Sequence, residues 1–176
     1  THKIMIVDDE PANLRTLERL FRPDYQVVTA PSGVEALALL AQHDVALLIS
    51  DQRMPAMTGI ELMVKTVEIR PHMIKILLTG YTDVGALIDA VNSGLVYRYL
   101  TKPWNNDDLR TTVSRALEHY EGTKSRHLLG MENERLRQRL REIGDLAVEG
   151  LGLIGSKKDL DVPKAEAEPE VYELLG

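Results

Sequence analysis

Along the first two thirds of the chain, short apolar runs alternate with segments whose apolar residues recur at helical spacing. The runs cover residues 3–7, 26–29, 45–51, 75–79 and 96–100. In the third, Val45-Ala46-Leu47-Leu48-Ile49 leaves no polar alternate face, which predicts a strand buried on both sides, as in a parallel sheet. Between the runs lie five helical patterns. Pro11 suits a first turn, with Leu14, Leu17, Leu20 and Phe21 behind it. Ser32 caps a helix carrying Val34, Leu37, Ala38 and Ala41. Residues 59–69 carry Leu62, Met63 and Val67 and stop before Pro71. Asp83 opens a fourth helix with Val84, Leu87, Ile88 and Val91, closed by Gly94, and Asn106 caps a fifth with Leu109 and Val113. Five alternations of this length call for an α/β fold, a doubly wound five-stranded parallel sheet with helices on both faces.

In such a sheet every strand's carboxyl end falls on one rim, where open α/β folds place their sites. That rim collects Asp8, Asp9 and Glu10 from the first strand, Asp51 from the third, Thr79 from the fourth and Lys102 after the fifth. Asp51 alone would also fit an acid that merely ends a strand. Acids, a hydroxyl and a lysine converging from four separate segments call for chemistry. Converging carboxylates repel unless a hard cation sits between them, so Mg²⁺ (or Mn²⁺) is the expected cofactor. Asp9 and Asp51 are its natural direct ligands, with Asp8 acting through water and the Arg53 carbonyl close by. A carboxylate is also a nucleophile toward phosphorus, and Lys102 and Thr79 supply the charge stabilisation that phosphoryl transfer needs. Lys102 could instead be a simple counter-ion, although Pro103 after it fixes its loop.

Composition narrows the field. A chain of 176 residues, 44% hydrophobic and 27% charged, supports one domain with an appendage. The absence of cysteine excludes a disulfide framework, a thiolate zinc site and a cysteine nucleophile, and suits a cytoplasmic location. No apolar run approaches a membrane span, and no signal peptide is expected before the first strand. From Asp145 onward there are eight acids against three lysines, so five of the six net negative charges lie there. The rest is near neutral, and no nucleic-acid surface is expected.

Asp8-Asp9, Asp51 followed by Met54-Pro55, Thr79 with Gly80, and Lys102-Pro103 together resemble the receiver domain of two-component response regulators, over about residues 1–120. The resemblance implies a flavodoxin-like (βα)5 fold and a phosphoryl group accepted on Asp51 from a sensor histidine kinase or histidine phosphotransfer protein. It implies that Asp8 and Asp9 hold Mg²⁺, that Thr79 turns inward to the phosphoryl oxygen, and that Lys102 pairs with it. Tyr99 matches the aromatic switch residue, Gly80 the small residue beside the site, and the Lys102-Pro103 peptide is expected to be cis. Arg53 and Tyr81 match positions that tune dephosphorylation. The runs Leu78-Thr79-Gly80-Tyr81 and Tyr97–Trp104 are similar to receivers fused to HD-type phosphodiesterases, cyclases or transcriptional activators.

The last helix has no stop signal at the expected domain end. A heptad fits with Arg126, Asn133, Leu140 and Ala147 at a and Leu129, Leu136 and Ile143 at d, interrupted weakly by Gly122 and Gly130. Glu132 at g would face Arg137 of a second copy at e, and Asn133 at a would specify a parallel homodimer. An amphipathic helix folded back on the first domain is the alternative. Arg135, Arg137, Arg139 and Arg141 spread around the helix as a solvated face. Residues 148–176, with Gly150, Gly152, Gly155, Pro163 and Pro169, read as an acidic linker in which Val171–Leu175 could dock. The expected division is a receiver at 1–120, a helical extension at 121–147 and a tail at 148–176, as the amino-terminal piece of a longer regulator. The alternatives are a Mg²⁺-dependent phosphohydrolase forming an aspartyl phosphate, disfavoured by Arg53 two residues after Asp51, and a dimerisation module that does not switch. No enzyme activity beyond self-phosphorylation and autodephosphorylation is expected.

Overall fold

The computed structural model describes residues 1–80 and 84–150, and their side chains except at 84 and 147–150. The expected helix opening at Asp83, the tuning position Tyr81, the a-position side chain of Ala147 and the 151–176 part of the tail lie outside those described.

The elements run β1 (Lys3–Val7), α1 (Pro11–Phe21), β2 (Gln26–Ala30), α2 (Gly33–Gln42), β3 (Leu47–Asp51), α3 (Gly59–Ile69), β4 (Ile74–Thr79), α4 (Val84–Asn92), β5 (Arg98–Thr101) and α5 (Asn106–Gly150). All strand pairs are parallel, in the order β2-β1-β3-β4-β5. The strand order reverses at β1/β3, which puts the open crevice of the sheet beside Asp8 and Asp51.

Alternation along each strand sorts the core into two layers. Met5, Val7, Leu48 and Leu77 pack under α2, α3 and α4 with Leu40, Leu62, Met63 and Leu87. Ile4, Ile6, Leu47, Ile49, Ile76 and Leu78 face α1 and α5 through Leu17, Phe21, Leu109, Val113 and Tyr120. With side chains buried on both faces, the inner strands must read as continuous apolar runs.

Local signals set the helix ends. Ser32 Oγ accepts the Glu35 N–H at 3.2 Å, and Thr58 and Glu61 form a reciprocal capping box at α3. Gly94 closes α4 with φ +76°, its N–H donating to the Val91 carbonyl. Several boundaries differ from the sequence reading, with β2 running to Ala30 rather than 29 and β4 beginning at Ile74 rather than 75. β3 begins at Leu47 rather than 45 and β5 covers Arg98–Thr101 rather than 96–100. Val45 and Val96 are buried, yet the Val96 N–H goes back to the Ala90 carbonyl and closes the turn after α4. The cap of α5 is Asn105, not Asn106: its Oδ1 accepts the N–H groups of Asp107 and Asp108 at 2.8 and 3.1 Å.

Contacts divide the chain into two units at Leu129/Gly130. In the first, α5 buries Leu109, Val113, Ala116, Leu117 and Tyr120. In the second, the helix leaves Leu136, Leu140 and Ile143 exposed.

Candidate functional site

β1 and β3 lie side by side, Val7 opposite Ser50, so the residues after each strand emerge together. Asp8 and Asp51 are buried, at 1% and 7% exposure, while Asp9 faces solvent. The three carboxylates each offer an oxygen within 4.8 Å of the others. Lys102 Nζ reaches Asp51 Oδ1 at 3.0 Å and Asp8 Oδ2 at 3.1 Å. The loop carrying it is held by the Lys102 N–H, which donates to the Thr79 carbonyl at 2.8 Å, and the Lys102-Pro103 peptide is cis as expected.

Further residues shape this corner. Asp8 Oδ1 accepts the Glu10 N–H at 2.9 Å, and Asp8 Oδ2 accepts from Asn13 Nδ2 at 3.0 Å. Asp51 Oδ1 accepts the Gln52 N–H at 2.9 Å. Buried Gln52 ties the loop to α3, its Oε1 accepting the Ile60 N–H at 3.1 Å and its carbonyl accepting the Gly59 N–H. A Cβ on Gly59 would collide with the Asp51 carbonyl oxygen, so only glycine lets α3 start this close to β3.

Burial pushes the Asp51 carboxyl above its ordinary value. Lys102 and the Gln52 N–H oppose that rise, and Asp8 adds to it. Burial pulls Lys102 down, but its bonds to Asp51 and Asp8 more than offset this and raise it, keeping it an ammonium. The corner thus holds three acids with one cation, which leaves a surplus of negative charge suited to a second cation bound through oxygen. Asp8 is already committed to Glu10, Asn13 and Lys102, whereas exposed Asp9 has no hydrogen bond or ion pair among the described residues.

Thr79 ends β4, 3% exposed, with its Oγ1 donating to the Gly80 carbonyl at 2.8 Å. A Cβ on Gly80 would meet nothing within 4 Å among the described residues. Tyr99 on β5 is 39% exposed. Neighbouring Tyr97 packs on His119 of α5, ring centroids 5.6 Å apart. Of the residues assigned to a dimer helix, Leu129, Asn133, Leu136, Leu140 and Ile143 are all exposed. Sequence reasoning missed Asn13, Gln52 and Gly59, whose types carry no signature of a site.

This fold and this corner belong to signalling proteins that carry an acidic pocket at the rim of a parallel sheet. The chain is a member of the response regulator receiver domain family, whose profile matches residues 4–114. Receiver domains are non-catalytic modules of two-component signalling that bind Mg²⁺ at an acidic pocket and are phosphorylated by histidine kinases. Over 129 residues the chain is 36% identical to the hydrogenase transcriptional regulatory protein HoxA of Cupriavidus necator, covering 73% of this chain and 27% of that protein. It thus spans about a quarter of the length of the curated relatives it matches. Among solved structures it superposes on the adenylate cyclase of Rhodopirellula baltica with a TM-score of 0.72 at 35% identity, covering 73% of this chain and 96% of that one. It also superposes on the signal receiver domain of an HD domain-containing protein from Pseudomonas fluorescens, with a TM-score of 0.67 at 36% identity, covering 71% and 93%. No helix among the described residues is long and apolar enough to cross a membrane.

Proposed function

We propose that this chain is a phosphorylation-controlled receiver in which Asp51 accepts a phosphoryl group from a histidine kinase or histidine phosphotransfer protein. The observation that carries the reading is Lys102, whose Nζ lies within 3.1 Å of both Asp8 and Asp51 in a corner that also holds Asp9. Mg²⁺, or Mn²⁺, would be held by Asp8, Asp9, Asp51 and the Arg53 carbonyl, where it neutralises charge on the transferring group. An Asp51 carboxylate oxygen forms the new bond to phosphorus while the donor's P–N bond breaks and its electron pair returns to the imidazole. Lys102 exchanges its contact with Asp51 for a phosphoryl oxygen. Thr79 turns its hydroxyl from the Gly80 carbonyl to the same group, and Tyr99 moves inward after it; this pair is the bistable element that new charge at Asp51 biases.

Output runs through α5. Residues 1–120 form the receiver, residues 121–147 the extension, and Leu129, Asn133, Leu136, Leu140 and Ile143 the seam of a parallel homodimer. Exposed apolar side chains at a and d spacing in the extension support that seam. Residues 148–176 are the acidic tail that follows the extension, and the reading places the protein in the cytoplasm. The phosphohydrolase alternative lacks an acid two residues after Asp51, where Arg53 stands.

The test is intact mass after incubation with acetyl phosphate and Mg²⁺. One added phosphoryl group in the wild type and none in Asp51→Asn is the expected result. Equal uptake by both proteins, or uptake by neither, contradicts the assignment.

A further inference from the structure

The chain has five histidines, and two of them meet away from the acidic corner. His72 lies in the connection between α3 and β4, and His127 lies on α5, beyond the end of the family match at residue 114. Their ring centroids are 4.6 Å apart with the planes inclined at 49°. His2 bonds Glu121 and His43 Nδ1 lies 3.5 Å from Lys3 Nζ, but neither His72 nor His127 makes a hydrogen bond or ion pair with any described residue. Four ring nitrogens are therefore uncommitted toward the described residues. His72 is half-buried and His127 exposed, so the pair is reachable from solvent.

We propose that His72 and His127 form a two-imidazole site for a late first-row divalent cation such as Zn²⁺. Two imidazoles bonded to one such ion at about 2.0 Å, with an angle between right and tetrahedral, hold their centroids about 4.5 to 5 Å apart. The observed centroid separation of 4.6 Å falls within that range. Ligand type separates this site from the acidic corner: imidazole selects zinc, copper and nickel, whereas carboxylate and carbonyl oxygens select magnesium. Water fills the remaining positions, which makes the ion exchangeable rather than structural. A bound ion would tie the lead-in to β4 to α5, fixing one end of the strand whose other end carries Thr79.

The experiment titrates the full chain with ZnCl₂ in excess Mg²⁺, so that the carboxylates are already occupied, and tracks the imidazole ¹H–¹⁵N signals. The His72 and His127 signals should move together and saturate at one equivalent. His72→Ala and His127→Ala should each weaken the tight phase at least about tenfold, the double variant little further, and His43→Ala not at all. Because His127 is exposed, its variant should keep the Tm of the metal-free protein. Independent movement of the two signals, or unchanged affinity in the double variant, overturns the site. Phosphoryl uptake at Asp51 is read separately, so failure here leaves that reading standing.

Discussion

Between Asn106 and Tyr120, α5 buries Leu109, Val113, Ala116, Leu117 and Tyr120, whereas between Leu128 and Leu146 the same helix exposes seven large apolar side chains. The spacing is alike in both stretches: 109, 113, 116, 120 in one and 129, 133, 136, 140 in the other, with Asn133 the only polar intruder. Helical periodicity is thus equally strong where the described residues supply a partner surface and where they do not. In the first stretch the sheet satisfies the apolar stripe. In the second the stripe is what a second copy would cover, and Asn133 is what would restrict that copy to one register.

The largest effect should separate these stretches directly. Val113→Asp places an uncompensated charge in the sealed layer under the sheet and should cost at least about 4 kcal/mol, read as loss of the cooperative urea transition. Leu136→Asp makes the same chemical change on the exposed stretch. It should leave monomer stability within about 0.5 kcal/mol and remove dimer from light-scattering profiles.

A methyl group sharpens the contrast. Gly59→Ala drives a Cβ into the Asp51 carbonyl and Leu77, and should cost about 2 to 3 kcal/mol by denaturation. Gly130→Ala meets nothing within 4 Å and should raise helix stability by about 0.5 to 1 kcal/mol, seen as added ellipticity and a higher melting temperature.

The smallest effect is a titration confined to the buried side. Lys75 Nζ has the Met73 carbonyl at 3.0 Å, and burial lowers its pKa below 10.5. The unfolded chain then binds more protons than the folded one between the lowered value and 10.5, so stability should rise with pH through that window. Lys75→Met should abolish that slope in urea midpoints collected across alkaline pH. A slope that persists would locate the titrating group elsewhere.

Legibility in the sequence divides along the same line. Asp8, Asp51 and Lys102 could be found because each ends or comes just after a strand in a parallel sheet, and topology alone brings such ends together. Apolar runs located all five strands but misplaced the starts of β3 and β5, because hydrophobicity reports burial and Val45 and Val96 are buried without being ladder residues. Adjacent Asn105 and Asn106 have equal capping chemistry; only the directions of the Asp107 and Asp108 N–H groups choose between them. Asn13, Gln52 and Gly59 were hidden because they position the acids rather than carry chemistry. The contact of His72 with His127 joins segments 55 positions apart, and no local pattern announces it.

Charge placed on Asp51 should change how α5 assembles, and on that coupling the proposed function stands or falls. The most direct measurement is molar mass by light scattering, over a dilution series, for the full chain with Mg²⁺ before and after acetyl phosphate, beside Asp51→Asn and Leu136→Asp. The expected result is a shift in the monomer–dimer equilibrium of the wild type that both variants abolish. A phosphorylated wild type with unchanged dimer content at every dilution would contradict it.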